Sequence, residues 1–267
     1  MTFEEEDYKK LGKNDALWKY LDFHKLIDLI SSKKLHFTRL DQFEDPFEGA
    51  TRNLIFKRHI AKQIPTKPLL EKDFYEGFLD EQKKKKEQTL KDCEIEINSS
   101  QKTQFVNCWN RLERESMAMW DLYSNSNSIA IALNGRKFID NLKTVVENQK
   151  DLLPNHLSYA GSVFYDKINP PDFFDKNEKP NRISAFKKDV CFSHEEEYRL
   201  LICSTNDMID NNPKFHKIKL YDSFFDDIEI ICHPKMEDWK FKNIECICEK
   251  FHIKLPQKSK IELNFNS

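Results

Sequence analysis

The sequence predicts an α+β fold in which a mixed, largely antiparallel sheet is combined with helices. About six to eight short strands rich in β-branched and aromatic residues are spread along the chain, and the helices between them lack regular βαβ alternation. With 267 residues the chain can bury a sizeable core, and we expect a single domain over residues 1–267. Within it, residues 50–100 predict a helical insertion.

The first hundred residues predict a strand, a helix, a second strand and a turn, in that order. These elements cover residues 17–20, 26–30, 34–40 and 41–49. Gly49 can adopt positive φ at the end of the turn. The region that follows is charged and helical in pattern, and its EQKKKKEQTLK run favours a solvated helix face over a nucleic-acid contact.

The remainder of the chain predicts further strands, helices and one Pro-rich loop. Strands are expected at 105–109, 128–133, 163–165, 191–203, 228–233 and 260–265, and helices at 117–123, 136–148, 183–189 and 234–251. In the last helix we expect Trp239 and Ile244 to face inwards. The loop is expected at 169–181.

Composition excludes several classes of function. A net charge of -2 provides no global field for nucleic acid or membrane, and the chain has neither a Gly-rich phosphate loop nor a dinucleotide fingerprint. The seven cysteines form no CxxC pair, so reduced core thiols are expected. No stretch reaches the roughly 18 apolar residues of a membrane span. We therefore expect a cytoplasmic protein without a membrane partner.

The segment CFSHEEEYRLLIC at 191–203 carries the densest chemistry. As a strand, it alternates between two faces. One face holds Tyr198, Leu200 and Ile202, and the other holds Glu195, Glu197 and Arg199. Two interpretations stay open for the second face: a solvated strand surface, or two carboxylates about 7 Å apart beside a guanidinium at the mouth of a cleft.

Two further groups are candidates for a site. The acidic turn contains four carboxylates, those of Asp41, Glu44, Asp45 and Glu48, which suit either a divalent cation or the capping of the next helix. Trp120 and Tyr123 suit either the core or stacking against a base or nicotinamide. The eight histidines show no paired ligand spacing, so we predict no metal site.

Four motifs in this chain resemble, in the same order, those of a widespread prokaryotic family of unknown function. They are Trp18-Lys19-Tyr20, DPFEG at 45–49, MWDLY at 119–123 and EEEYRL at 195–200. The resemblance extends over residues 17 to about 250. Glu44 stands where the family has Asn, and Phe192 stands where it has Trp.

The motif layout of that family in turn resembles the divergent ADP-ribosyltransferases. This resemblance implies an ADP-ribosyltransferase-like core that uses NAD as a substrate. It implies that Glu197 bonds the ribose 2′-hydroxyl and stabilises oxocarbenium character, and that Glu195 activates the acceptor. The residues implied in NAD binding are Lys19 or Tyr20 on the first strand, Thr38 on the second, Tyr123 and Arg199. A macromolecular target, and a role in bacterial defence or as a toxin, are implied in the same way, and a partner protein is compatible with them.

Two other classes of function stay open. The first is a non-catalytic module that binds a ligand or a basic partner, which the absence of His and Arg from residues 17–20 favours. The second is a metal-dependent nuclease that would use Asp45, Glu48, Glu195 and Glu197. For the ADP-ribosyltransferase reading, Lys19, Thr38 and Glu197 should lie within about 10–12 Å, the span of one nicotinamide riboside.

Overall fold

The computed structural model describes residues 3–6, 8–50, 52–64, 76–148, 156–166, 183–204 and 213–261. Within them, helices combine with a mixed, largely antiparallel open sheet, which confirms the predicted α+β class in that form. The strands are β1 Phe3–Glu5, β2 Ala16–Leu21, β3 Lys34–Arg39, β4 Gln104–Arg111, β5 Ile129–Asn134, β6 His156–Ser162, β7 Phe164–Asp166, β8 Lys187–Asp189, β9 Glu197–Ser204, β10 Phe215–Lys219, β11 Glu229–Cys232 and β12 Gln257–Lys258.

The main sheet forks at β4. Its order is β1-β6-β9-β4-β2-β5-β11-β12, and β3, with β10 beyond it, joins beside β4. One edge of β4 pairs continuously with β9. Along its other edge, β4 pairs with β3 near its start and with β2 near its end. The centre of β4 therefore lies between two diverging strands on that side, and side chains must satisfy its backbone there. The strands β7 and β8 form a separate parallel pair.

The described ranges contain seven α-helices, and those with residues in the largest apolar cluster cover one face of the sheet. The helices are α1 Phe23–Ser32, α2 Arg52–Gln63, α3 Glu76–Lys102, α4 Met117–Tyr123, α5 Gly135–Asn148, α6 Phe224–Asp227 and α7 Asp238–Lys250. Leu26 of α1, Phe138 of α5 and Ile244 of α7 are fully buried in the largest apolar cluster of the protein. Tyr198 and Leu200 of β9 project into the same cluster, so this face is the main core.

The opposite face carries two smaller apolar clusters with a polar region between them. Leu40, Val106, Phe186 and Leu201 belong to one of these clusters. The other contains Trp120 of α4 with alanines of β5 and Ile231 of β11. The side chains of Glu197, Cys108 and Asn110 point to this face, between the two clusters. Along β9 and β4 they alternate with side chains that point into the main core. This polar region positions the candidate site.

A pair of helices covers most of the region predicted as a helical insertion. Helices α2 and α3 pack against each other through Leu54 and Ile97, and Lys86 of α3 donates to backbone carbonyls at the end of α2, those of Lys62 and Ile64. The lysines at 83–85 are exposed, as the sequence predicts for a solvated helix face. The end of α3 also reaches the acidic turn, because Gln101 donates to the carbonyls of that turn.

Several sequence predictions of local structure are wrong. The segment 191–203 is not one strand, because a 3₁₀ helix at Val190–Glu195 precedes β9. The helix predicted at 183–189 is a 3₁₀ turn at Ser184–Phe186 followed by β8. Strands β1, β6 and β10 were not predicted. Strand β6 has the sequence HLSYAGS, whose small residues obscure the usual strand pattern.

Two predictions at the second half of the chain have mixed outcomes. Ile244 is buried, as expected, but Trp239 is 60% exposed and does not face inwards. The last strand is the short β12, which lies before the predicted residues 260–265. Residues 262–265 and the Pro-rich loop at 169–181 lie outside the described residues. Among the helices of the described ranges, none combines the length and the apolar character needed to cross a membrane.

Replacement of Gly49 by Ala tests the backbone at the acidic turn. Gly49 has φ +71°, and a Cβ at this position would lie 2.3 Å from Cδ1 of Leu40, which is fully buried. We expect Gly49→Ala to lower the free energy of unfolding by about 1–3 kcal/mol in urea denaturation. Gly12→Ala is the control, since its Cβ would meet Asp15 at 3.4 Å, and it should change stability by less than about 0.5 kcal/mol. Equal losses in both variants would contradict the strain argument.

Candidate functional site

Three carboxylates and two cations are buried together in the polar region of the second sheet face. We call this group the ion cluster, and its members are Glu48, Lys188, Glu195, Glu197 and Arg199. Arg199 has no exposed surface, and Glu195 is 2% exposed. The interpretation of this row as a solvated strand surface is therefore wrong. Charges at such depth need direct partners, because desolvation of an unpaired ion costs several kcal/mol.

Strand β9 and the turn before it bring three members of the cluster together. Glu197 and Arg199 share one face of β9 by alternation. Glu196, between the 3₁₀ helix and the strand, has φ +43°, and this left-handed residue reverses the chain after Glu195. Asn110 of β4 donates from Nδ2 to the carbonyl of Glu195 at 2.8 Å. The carboxylates of Glu195 and Glu197 thereby reach the same cation.

The acidic turn delivers Glu48 from the other side of the chain. Asp45 accepts a hydrogen bond from the backbone N–H of Phe47 at 2.9 Å, which tightens the turn after Pro46. Gln101 of α3 then donates to the carbonyl of Glu48 at 2.8 Å. With its backbone held in this way, Glu48 is 3% exposed and its carboxylate meets Arg199. Asp45 therefore shapes the turn, whereas Glu48 belongs to the ion cluster.

The guanidinium of Arg199 connects two of the carboxylates. Its Nε donates to Glu197 and its Nη1 donates to Glu48 at 2.6 Å and to the carbonyl of Ala185 at 2.7 Å. The Nη2 atom is buried and has no hydrogen-bond partner among the described residues. Burial alone would lower the pKa of Arg199, but the charges of Glu197 and Glu48 raise this pKa well above its ordinary value. Arg199 is thus a permanent cation in the interior.

Lys188 links the third carboxylate to the other two. Its Nζ lies 2.6 Å from Glu195, 3.3 Å from Glu197 and 3.9 Å from Glu48. It also lies 4.6 Å from the centre of the Phe192 ring, at a distance that suits a cation–π contact. Burial opposes its charge, but Glu197 and the other carboxylates raise the pKa of Lys188 from its ordinary value. The Lys188 ammonium therefore binds both Glu197 of β9 and Glu195 of the turn before it.

The pKa values of Glu195 and Glu197 are shifted in opposite directions. Burial, followed by hydrogen bonding and charge from Glu197, raises the pKa of Glu195 above its ordinary value. For Glu197 the burial effect is outweighed by Arg199 and Lys188, whose charges lower the pKa to about 2. A pair of neighbouring carboxyls with diverging pKa values can provide one permanent anion and one group that exchanges protons.

Tyr123 covers Glu195 from α4. Its hydroxyl donates to the Glu195 carboxylate, while its side chain is half exposed at 49%. Burial and this hydrogen bond raise the pKa of Tyr123 above its ordinary value. The phenol therefore stays neutral at pH 7 and shields Glu195 from solvent. The sequence prediction that Tyr123 belongs to the same site as Glu195 fits this contact, although its assignment to NAD stays a prediction.

A cavity of about 660 Å³ opens at the end of the sheet where β9 begins and β4 ends. Glu197 belongs both to the ion cluster and to the lining of this cavity. The remaining lining residues used below are Tyr8, Lys9, Arg111 and Tyr165. The Tyr165 hydroxyl accepts a hydrogen bond from the backbone N–H of Glu197 at 2.8 Å, which fixes the start of β9 against the cavity. Such a volume is typical of small-molecule sites.

Lys19 fills the fork of the sheet instead of lining that cavity. Its Nζ donates to the Cys108 carbonyl of β4 at 2.7 Å and lies 5.5 Å from the centre of the Trp109 ring. Nearby, Asn107 donates to the His36 carbonyl of β3 at 2.7 Å. These two contacts satisfy backbone carbonyls where the strands diverge. Burial lowers the pKa of the Lys19 ammonium to about 8, with a partial offset from Cys108 and Glu197.

The other candidate residues lie away from the ion cluster or have structural partners. The Tyr20 hydroxyl accepts a hydrogen bond from the backbone N–H of Ser116 at 2.9 Å. The Tyr20 ring packs edge-to-face against Trp120, with 4.8 Å between the ring centroids. Trp120 is fully buried and donates to Glu115 at 3.1 Å. Tyr20 and Trp120 thus attach α4 to the sheet.

Thr38 and Glu197 lie on opposite sides of β4. Thr38 is opposite Val106 and Glu197 is opposite Asn110. Four residues of strand and two strand spacings give about 17 Å between their Cα atoms. Thr38 is not among the residues that line the 660 Å³ cavity, and its assignment to NAD stays a prediction.

Sequence reasoning missed Lys188 and Tyr165. Both lie on the short strands β7 and β8, which pair with each other and with no strand of the main sheet in the described chain. A strand is expected at 163–165, but alternation over three residues does not show that the Tyr165 hydroxyl meets the backbone of Glu197, and β8 lies where the sequence predicts a helix. Among the described residues there is also no group of three or more His, Cys, Asp or Glu side chains arranged to hold a metal ion.

Replacement of Arg199 tests the energetic role of the ion cluster. We expect Arg199→Met to lower the free energy of unfolding at pH 7 by about 3–5 kcal/mol, because Glu48 and Glu197 lose their buried cation. The control is Arg136→Met, whose guanidinium pairs with Glu5 and Asp140 near the surface and should cost about 1 kcal/mol or less. Urea denaturation measures both. Similar losses in the two variants would contradict the argument.

Replacement of Lys19 tests the fork through pH. The unfolded chain keeps this proton up to about pH 10.5, whereas the folded protein releases it near pH 8. Between these values the unfolded state binds more protons, so the folded state gains stability as pH rises, by at most about 3 kcal/mol. We expect Lys19→Met to lack this gain relative to wild type when urea denaturation is compared at pH 7.5 and pH 10. A parallel pH response of the two proteins would show that Lys19 is not perturbed.

No family model, no curated protein and no solved structure matches this chain.

Proposed function

We propose that the chain is an ADP-ribosyltransferase-like enzyme that uses NAD as its substrate and modifies a macromolecular target. One observation carries this proposal: Glu197, an anion with a pKa of about 2, lies both in the ion cluster and in the wall of the 660 Å³ cavity. Beside it, Glu195 has a raised pKa and shares Lys188 with Glu197. A fixed anion next to a proton-exchanging carboxyl suits cleavage of a glycosidic bond.

The proposed chemistry begins at the bond between nicotinamide and ribose. This C–N bond breaks with its electron pair leaving on nicotinamide, and positive charge develops on the ribosyl group. Glu197 stabilises that charge, since Arg199 and Lys188 keep its carboxylate ionised and fixed. The acceptor, a target group or water, attacks the anomeric carbon, and Glu195 takes the proton that the acceptor loses. With water, the products are nicotinamide, ADP-ribose and one proton.

The walls of the cavity fit a dinucleotide with a diphosphate. Lys9 and Arg111 supply positive charge, and a guanidinium matches phosphate geometry. Tyr8 and Tyr165 supply aromatic surface, which suits a base or a nicotinamide ring. Arg111 also pairs with Asp15 at 2.6 Å, so its side chain is held at the rim before a ligand arrives. Lys19, Tyr20 and Thr38, which the family resemblance assigns to NAD, have no part in this version of the site.

The target and the biological setting follow from the family resemblance alone. It favours a macromolecular acceptor and a role in bacterial defence or as a toxin. The half-exposed Tyr123 lies between Glu195 and solvent, so the target would approach from the side of α4. Rotation of this phenol away from Glu195 would open the general base to the acceptor.

A second candidate function is a non-catalytic module that binds a ligand in the same cavity. The observation that favours it is the saturation of the carboxylates: Glu195 contacts Lys188 and Tyr123, and Glu197 contacts Arg199 and Lys188. A cluster that is fully paired within the protein also serves as a purely structural core. The two candidates differ in whether a bound NAD is consumed.

The decisive variant is Glu197→Gln, which keeps the shape of the side chain and removes its charge. We expect wild type to release nicotinamide from NAD, and Glu197→Gln to lower this rate by at least about 100-fold, because the anion that stabilises the ribosyl cation is lost. Chromatographic quantitation of free nicotinamide measures the rate. Glu147→Gln on α5 is the matched control, an exposed glutamate outside the cluster and the cavity, and should keep the wild-type rate.

Calorimetric titration with NAD separates the two candidate functions. Saturable binding together with nicotinamide release that depends on Glu197 supports the enzyme. Saturable binding without release in the wild type supports the non-catalytic module. A folded wild type that neither binds nor cleaves NAD overturns both assignments of the cavity to this ligand.

A further inference from the structure

A second cavity, separate from the ion cluster, lies between the start of α1, the turn before β5 and the start of α7. Its volume is about 300 Å³, and none of its lining residues belongs to the 660 Å³ cavity. Phe23, Met236 and Ile244 form apolar walls, and Trp239 stands at its side. Volumes of this size are at the lower end for ligand sites and accommodate one planar ring system.

Trp239 is the most unusual residue of this cavity. It is 60% exposed, although Trp side chains are highly buried on average. The Lys240 ammonium lies 5.2 Å from the centre of the Trp239 ring and pairs with Glu237 at 2.5 Å. This cation–π contact holds the indole in place before any ligand binds. The result is a flat aromatic surface that is fixed and solvent-accessible.

Amide side chains surround the aromatic wall. Asn125, Asn127 and Asn243 line the cavity. The side-chain oxygen Oδ1 of Asn125 accepts a hydrogen bond from the backbone N–H of Asn127 at 2.9 Å. Asn127 and Asn243 are exposed to solvent, and no hydrogen bond joins their side-chain amides to another described residue. A carboxamide offers a donor and an acceptor side by side, which is the pairing that the edge of a nucleobase presents.

From these features we infer that the second cavity binds the base of a nucleoside or nucleotide, with the ring stacked on Trp239 and its edge bonded to Asn127 and Asn243. An aromatic wall provides affinity for any planar base, since stacking does not depend on the pattern of donors and acceptors. The two exposed amides then select among base edges through the hydrogen bonds that they donate and accept. This site does not rest on the proposed use of NAD in the 660 Å³ cavity.

Calorimetric titration with adenosine, guanosine, cytidine and uridine tests this inference on the full chain. We expect saturable binding of at least one nucleoside to wild type. Trp239→Ala should weaken it by about 10- to 100-fold, whereas Trp239→Phe, which keeps an aromatic ring, should retain most of the affinity. Asn243→Ala should weaken it by about tenfold, through the loss of one hydrogen bond. Thermal unfolding verifies that each variant is folded.

Two controls separate this site from its surroundings and from the other cavity. Phe215→Ala removes an aromatic ring that is 48% exposed outside both cavities and should leave nucleoside binding unchanged. Glu197→Gln should also leave it unchanged, even where it abolishes nicotinamide release. The inference is overturned by a wild type that binds none of the four nucleosides, or by Trp239→Ala and Asn243→Ala variants that bind as tightly as wild type.

Discussion

The burial of the Arg199 guanidinium is the constraint on which the second sheet face depends. Arg199 lies in the middle of the sheet, where its neighbours in register are Cys108 and Gly161, and these small residues leave room for its side chain. A cation without exposed surface requires anions at contact distance, and Glu197 and Glu48 provide them. Arg199 thus connects β9 to the acidic turn through Glu48 and to the 3₁₀ turn at Ser184–Phe186 through the carbonyl of Ala185.

The same ions attach three peripheral segments to the sheet. Glu48 brings the acidic turn and, through Gln101, the end of α3. Lys188 brings β8, and Tyr123 brings the end of α4 to Glu195. Apolar packing also holds two of these segments, through Phe43 of the acidic turn and Trp120 of α4, and the charges add specific directions to that packing. Stability and geometry of the candidate site are thus controlled by the same bonds, and a substitution in the cluster is expected to affect both.

The sequence correctly predicted which face of β9 each side chain occupies, because alternation is a local property. It assigned Tyr198 and Leu200 to the core and Glu197 and Arg199 to the opposite face, and the structure agrees. Exposure of that face depends on α4, the acidic turn and β8, and the alternation of β9 does not report how these other elements pack against it. Lys188 was missed for this reason. Trp239 was misplaced because helical spacing defines a face but not which part of it a neighbouring element covers.

Stability alone does not account for an ion cluster at this position. Apolar side chains of similar volume usually replace a buried ion network without loss, and often with a gain, of folding free energy. The cluster nevertheless holds a net excess of carboxylates, with Glu195 and Glu197 at diverging pKa values and Glu197 in contact with a cavity. Apolar replacements would abolish the diverging pKa values and the charged contact with the cavity, and would leave the packing intact. These two properties are the ones on which the proposed enzymatic function depends, and folding does not require them.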